Sequence, residues 1–140
     1  MSHSGYRGRY APNPTGPLHL GNARTALLAW LDARAAGGAF LLRAEDLDGP
    51  RVRPGLEARI LDELLWLGLD WDEGPDVGGA AGPCRQSERL ASYRAALEQL
   101  RAGGLVYPCF CSRAEVARAS QAPHAADEGP RYPGTCRGLD

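Results

Sequence analysis

The chain has 140 residues, with 16 basic and 17 acidic side chains and a formal net charge of −1. That length suits one ordinary domain, and the balanced charge excludes a bulk basic nucleic-acid binder, although not a local arginine patch. No run approaches the roughly 18 apolar residues of a membrane span, and Met1-Ser2-His3-Ser4 lacks the regions of a secretion signal, so a soluble cytoplasmic protein without a membrane partner is expected.

Tyr6 to Ala11 reads as a first strand. Pro12 and Pro14 then break regular structure, because each lacks an N–H and biases its predecessor toward extended geometry. Gly16-Pro17 predicts a helix start with proline in the first helical position, where its missing N–H costs nothing. His19 would then lie in the first turn of that helix, beside a natural anion site. Neither a P-loop nor a Gly-x-Gly-x-x-Gly pattern is present. Leu20, Ala23, Leu27, Trp30, Leu31 and Ala35 recur at helical spacing and predict the buried face. Gly37-Gly38 ends the helix.

Ala39 to Leu42 is a continuous apolar run, the pattern of a strand buried on both faces. It ends abruptly in Arg43-Ala44-Glu45-Asp46-Leu47-Asp48. A second helix is expected from about Gly55 to Leu67, with Leu56, Ile60, Leu61, Leu64 and Leu65 on one face. Leu69 to Asp72 is a brief extended piece, and 74–83 reads as loop. A third helix begins near Ser87 and carries Leu90, Tyr93, Leu97 and Leu100. A third strand is expected at Leu105-Val106-Tyr107. Ser112-x-x-Glu115 is a capping box that opens a short fourth helix, and 120–131 reads as loop. Trp30, Trp66 and Trp71 are expected in the core.

This order predicts a parallel α/β sheet. Ligands of such sheets bind beyond the carboxyl ends of the strands. The proline-bent loop and the Arg43–Asp48 cluster both fall there. Four cysteines, Cys84, Cys109, Cys111 and Cys136, suggest metal ligands or structural thiols in a reducing compartment. Cys109-x-Cys111 with Cys136 gives three thiolates, and a tetrahedral zinc site needs one ligand more. General chemistry nominates His124. Cys84 reads as a spare thiol.

Ala11-Pro12-Asn13-Pro14-Thr15-Gly16-x-Leu18-His19-Leu20-Gly21-Asn22 resembles the class I aminoacyl-tRNA synthetase signature that contains the HIGH motif. The glutamyl branch is most similar. Arg43-x-Glu45-Asp46-x-Asp48, Trp66-Leu67-Gly68-Leu69-x-Trp71-Asp72 and Gln86-Ser87-x-Arg89 follow in the same order. The resemblance implies the N-terminal half of a Rossmann catalytic domain over 1–107 and a zinc-binding insertion over 108–140. It implies activation of L-glutamate with ATP, accompanied by Mg2+. It assigns His19 to catalysis, and Thr15, Gly16, His19, Gly21 and Asn22 to ATP. Arg9, Ala11, Asn13 and Glu45 go to glutamate, although an ion pair with Arg43 or Arg9 is the plain structural role for Glu45. Asp46 and Asp48 would cap and shape their loop. Asn13 stands where the family usually has Ser, and Asn22 replaces the second His of the motif.

Within the branch, Cys-x-Cys followed by Tyr132-x-x-x-Cys136 resembles the shortened glutamyl-Q tRNA(Asp) synthetases, as do Arg51 and Pro54-Gly55. That resemblance implies one Zn2+ held by Cys109, Cys111, Tyr132 and Cys136, and a monomer acting on the queuosine base of tRNA(Asp). A glutamyl-tRNA synthetase charging tRNA(Glu) is the alternative, and a non-catalytic zinc module that binds nucleotide or RNA is the second. The family's lysine-bearing KMSKS-type loop has no counterpart here, since the 140 residues contain no Lys. The isolated 140-residue chain is therefore expected to show little or no glutamate-dependent ATP–pyrophosphate exchange, and a robust exchange rate would contradict this expectation.

Overall fold

Alternation organises the first strand. In β1 (Arg7–Tyr10), Arg7 and Arg9 are exposed while Gly8 and Tyr10 are buried, as a period of two requires. β2 (Ala39–Leu42) is apolar throughout and almost entirely buried. The two pair in parallel, with Arg7 opposite Ala39 and Tyr10 opposite Leu42. Parallel neighbours need a crossover, and α1 (Leu20–Ala35) supplies it. Two short extended pieces continue the sheet on the far edge of β2. Asp72 N donates to Phe40 O at 2.9 Å and Leu42 N to Glu73 O at 2.8 Å; further on, Ala44 N donates to Cys84 O at 2.9 Å and Gln86 N to Ala44 O at 3.1 Å. The result is the expected parallel α/β arrangement. The computed structural model describes residues 5–119 and 132–139. They fall into two compact units, 1–92 and 93–140.

The face that α1 buries differs from the one its leucines predict. Ala26 and Ala33 are fully buried, with Ala29 and Trp30 packed against the same core, whereas Leu20 is 87% exposed and Leu27 and Leu31 are a little under half exposed. The reason is distance. A Cβ placed on Gly8 would stand 2.8 Å from Ala33 Cβ and 3.1 Å from Ala29 O. The helix therefore lies directly on the strand, and only its small residues fit between. The core is completed by Tyr10, Phe40, Leu42, Ile60, Leu64 and Leu69. Of the three tryptophans expected inside, Trp30 and Trp71 pack against this core, but Trp66 is 85% exposed at the end of α2 (Leu56–Trp66). Cys84, read as a spare thiol, is a free cysteine; it is buried, and its carbonyl accepts from Ala44 N.

The helix start also differs. α1 begins at Leu20 rather than at Pro17, with His19 as its N-cap at ψ 168°. After a 3-10 turn (Gln86–Arg89), α3 (Leu90–Ala102) follows. The strand expected at Leu105–Tyr107 is absent among the described residues. That stretch leaves α3 through backbone bonds from Gly104 N to Arg101 O and from Leu105 N to Leu100 O. It finds no ladder partner, and Tyr107 instead stacks on Tyr132 at a centroid distance of 6.5 Å. The capping box forms as expected at the start of α4 (Arg113–Ala119), with Ser112 N on Glu115 Oε2 at 2.7 Å and Glu115 N on Ser112 Oγ at 3.3 Å. The 120–131 stretch, including His124, lies outside the described residues. Among the described residues no helix is long and apolar enough to cross a membrane.

The close α1–β1 contact predicts that Gly8→Val destabilises the fold by about 1–3 kcal/mol, the range for overpacking a tight interface. Urea unfolding followed by far-UV circular dichroism checks it, and an unchanged midpoint would contradict it.

Candidate functional site

The loops beyond β1 and β2 are tied together by their own backbones. Arg43 N donates to Tyr10 O at 3.1 Å, and Glu45 N to Pro12 O at 2.9 Å. The Arg9–Asn13 and Arg43–Glu45 segments therefore run alongside one another at the carboxyl end of the sheet. Arg9 is exposed on the face opposite Gly8 and has no partner among the described residues. Ala11 is half-buried and Asn13 exposed, and Asn13 O receives Thr15 N at 2.8 Å to close a tight turn. Thr15 and Gly16 are half-buried in that turn.

His19 does something that its place in the sequence did not reveal. Its Nδ1 accepts the Gly21 amide at 3.1 Å, so the imidazole itself caps α1. In the neutral ring this makes Nε2 the protonated nitrogen. A donor is thereby presented beside the helix start. The amides of Leu20 and Asn22 have no acceptor among the described residues. Together with the dipole of a 16-residue helix, they form an anion-receptive corner. Gly21 has a local reason to be glycine, since a Cβ there would meet the His19 ring at 3.0 Å.

The acidic cluster divides its work. Glu45 is half-buried and pairs with Arg43, 2.5 Å from Nη2 and 2.8 Å from Nε. Asp46 is a loop clamp: Oδ1 accepts Ser87 N at 2.8 Å, and Ser87 Oγ bonds Oδ2. Asp48 pairs with Arg51. Two further residues escaped the sequence reading. Arg85 grips Glu57 of α2 and Glu88, and those bonds hold its guanidinium above its ordinary range. Glu63, also on α2, accepts the Leu18 amide at 2.9 Å. Neither the Arg85–Glu57 contact nor the Glu63–Leu18 contact leaves a mark in sequence, because the partners lie 28 and 45 positions apart.

In the second unit, the Sγ atoms of Cys109, Cys111 and Cys136 all lie within 4.8 Å of one another. Tyr132 joins them, its Oη accepting the Cys136 amide at 2.8 Å. Tyr107, under Arg137 at 5.8 Å, stacks on the Tyr132 ring. Hydrogen bonding from Tyr132, reinforced by the Phe110 amide, holds the Cys136 thiol down to about 7. Cys111 is pushed up to about 11, chiefly by Cys136, and the neighbouring thiols raise the Tyr132 phenol. One site thus offers three soft thiols and an oxygen donor, with one thiolate formed near neutral pH. That donor set fits a tetrahedral zinc ion.

The sequence matches the family model for class I tRNA synthetases (E and Q), catalytic domain, over residues 6–140. It is 62% identical over 133 residues to the glutamyl-Q tRNA(Asp) synthetase of Symbiobacterium thermophilum, a match covering 94% of this chain and 41% of that protein. It is 52% identical over 134 residues to glutamate–tRNA ligase 2 of Acidithiobacillus ferrooxidans, covering 96% of this chain and 28% of the ligase. Its fold is similar to the crystal structure of a glutamate tRNA ligase from Elizabethkingia meningosepticum in complex with its amino acid. The TM-score is 0.72 at 45% identity, over 81% of this chain and 23% of that one. The chain thus spans about two fifths of the queuosine-directed relative and little more than a quarter of the curated ligase.

The cysteine centre predicts that the reduced protein retains about one zinc per chain after gel filtration. Elemental analysis should show that Cys136→Ala loses the metal, that Tyr132→Phe retains clearly less of it than the unmodified protein, and that His124→Ala retains it. Loss of metal in His124→Ala with retention in Tyr132→Phe would reverse the ligand assignment.

Proposed function

Because the chain belongs to the class I tRNA synthetases of the E and Q catalytic-domain family, we propose that it supplies part of a site that activates L-glutamate with ATP and transfers it to the queuosine base of tRNA(Asp). The observation that carries this reading is the Glu45 N–Pro12 O bond. It brings the loop that follows Arg9 alongside the segment that carries Glu45. Glutamate has an ammonium and two carboxylates, and a free arginine beside a carboxylate matches that pattern of charge. In this reading Arg9 binds a substrate carboxylate in the forked geometry that Lys cannot reproduce. Ala11 and Asn13 line the pocket, and Glu45 exchanges Arg43 for the substrate ammonium.

Activation joins the glutamate α-carboxylate to the α-phosphorus of ATP and expels pyrophosphate. Negative charge gathers on phosphate oxygens as the new P–O bond forms and the old one breaks. Fixed donors aimed at those oxygens lower the barrier. The His19 Nε2–H and the free Leu20 and Asn22 amides are such donors, and Thr15, Gly16 and Gly21 shape the approach around them. Zinc, when bound by Cys109, Cys111, Cys136 and Tyr132, would act as a structural crosslink of the second unit.

Two features favour queuosine over the 3′ end of tRNA(Glu): the Cys-x-Cys, Tyr-x-x-x-Cys arrangement gathered at one point, and the higher identity to the queuosine-directed relative. The substantial identity to glutamate–tRNA ligases keeps tRNA(Glu) as the second reading. The complete gene product, given labelled glutamate, ATP and purified tRNAs, should label tRNA(Asp) carrying queuosine and leave queuosine-free tRNA(Asp) unlabelled. Labelling of tRNA(Glu) alone would select the second reading.

A further inference from the structure

The start of α1 is a choice between two registers. The sequence permits a helix from Pro17, with His19 inside the first turn. The structure starts it at Leu20, with His19 extended and its ring turned back onto Gly21. The difference decides what His19 presents, because only the later start makes the ring a cap and leaves Nε2 as its free nitrogen. Beside the local His19 Nδ1–Gly21 bond, one contact from outside the local sequence accompanies the later start. The Leu18 amide, last but one before the helix, donates to Glu63 Oε2 at 2.9 Å across 45 residues. The Leu18 side chain packs against the core at the same point.

We infer that Glu63 is a positioning residue for the His19 cap: its carboxylate fixes the Leu18 amide, and with it the register in which α1 begins. The clamp is itself held. Arg59, one turn earlier on α2, donates to Glu63 Oε1 at 2.7 Å, so one oxygen faces the guanidinium and the other faces the loop. Arg59 first, and then the Leu18 amide, hold the Glu63 carboxyl below its usual range. The acceptor is therefore an ionised carboxylate, which makes the stronger kind of hydrogen bond. The Arg59 pair alone is an ordinary surface contact between residues four apart and of small value. The bond to Leu18 links α2 to the loop that the reaction uses.

The catalytic consequence rests on the nucleotide role proposed above for His19, whereas the register itself does not, so two readouts separate them. In Glu63→Ala, amide exchange at Leu18 should accelerate, and the carbon chemical shifts of Leu18 and His19 should move from extended toward helical values. In the complete gene product, the same variant should raise the KM for ATP about tenfold in pyrophosphate exchange while the KM for glutamate stays within about twofold. Glu63→Gln, which keeps an oxygen acceptor, should restore most of the Leu18 protection and of the ATP KM. If Glu63→Ala does not fold, Glu63→Asp, one methylene shorter, replaces it and should show the same losses. Unchanged Leu18 exchange and His19 shifts in the folded variant would overturn the inference. A complete wild-type gene product without exchange activity would instead overturn the nucleotide role, and the spectroscopic result would still decide the register.

Discussion

Backbone amides that leave a β-ladder must find an acceptor, and this constraint governs the loops around the candidate site. The chain answers repeatedly with a carboxylate from elsewhere. Glu63 takes Leu18 N, Asp46 takes Ser87 N, Glu73 takes Ala81 N, and Asp72 takes Phe40 N at 2.7 Å. Three of these acids are also held by an arginine: Arg59, Arg7 and Arg34, respectively, for Glu63, Glu73 and Asp72. The arginine aims each of these three acids, so charge-assisted bonds add to the backbone bonds that tie the loops together. The same economy explains how acidic and basic residues can be numerous while the net charge stays near zero.

A second constraint comes from the crossover. α1 rests on β1 through Gly8, Ala29 and Ala33, with no room for a larger side chain. Tight contact fixes where the helix lies relative to the strand, and so fixes where its N-terminus meets the proline-bent loop. The large leucines of α1 are consequently displaced to the outside, where Leu20, Leu27, Leu67 and Leu69 line a shallow apolar groove of about 380 Å³.

The second unit is built on another principle. Among its described residues only Cys136 is buried, and α3 buries none of its side chains. A segment with so little apolar interior gains little from hydrophobic burial. Its described contacts converge instead on Cys109, Cys111, Cys136 and Tyr132. Tyr107 and Arg137 are stacked behind the phenol. A bound metal there would contribute the folding free energy that a core supplies in the first unit.

Local spacing made much of this legible. The order of strands and helices, the two parallel strands, the capping box at Ser112 and Glu115, and the three metal-type cysteines all follow from residue type at fixed offsets. So do the family motifs, because each motif is contiguous in sequence. Three things were decided only when the chain folded. α1 buries its alanines and not its leucines, since helix–strand distance outranks hydrophobicity at close range. Leu105–Tyr107 forms no strand, since a strand exists only if an edge is offered to it. α1 starts at Leu20 with a histidine cap, where the amide of Leu18 meets an acid 45 residues away. The sequence by itself determined which groups are available for chemistry; the tertiary structure decided which way they face, because orientation depends on partners that no local pattern records.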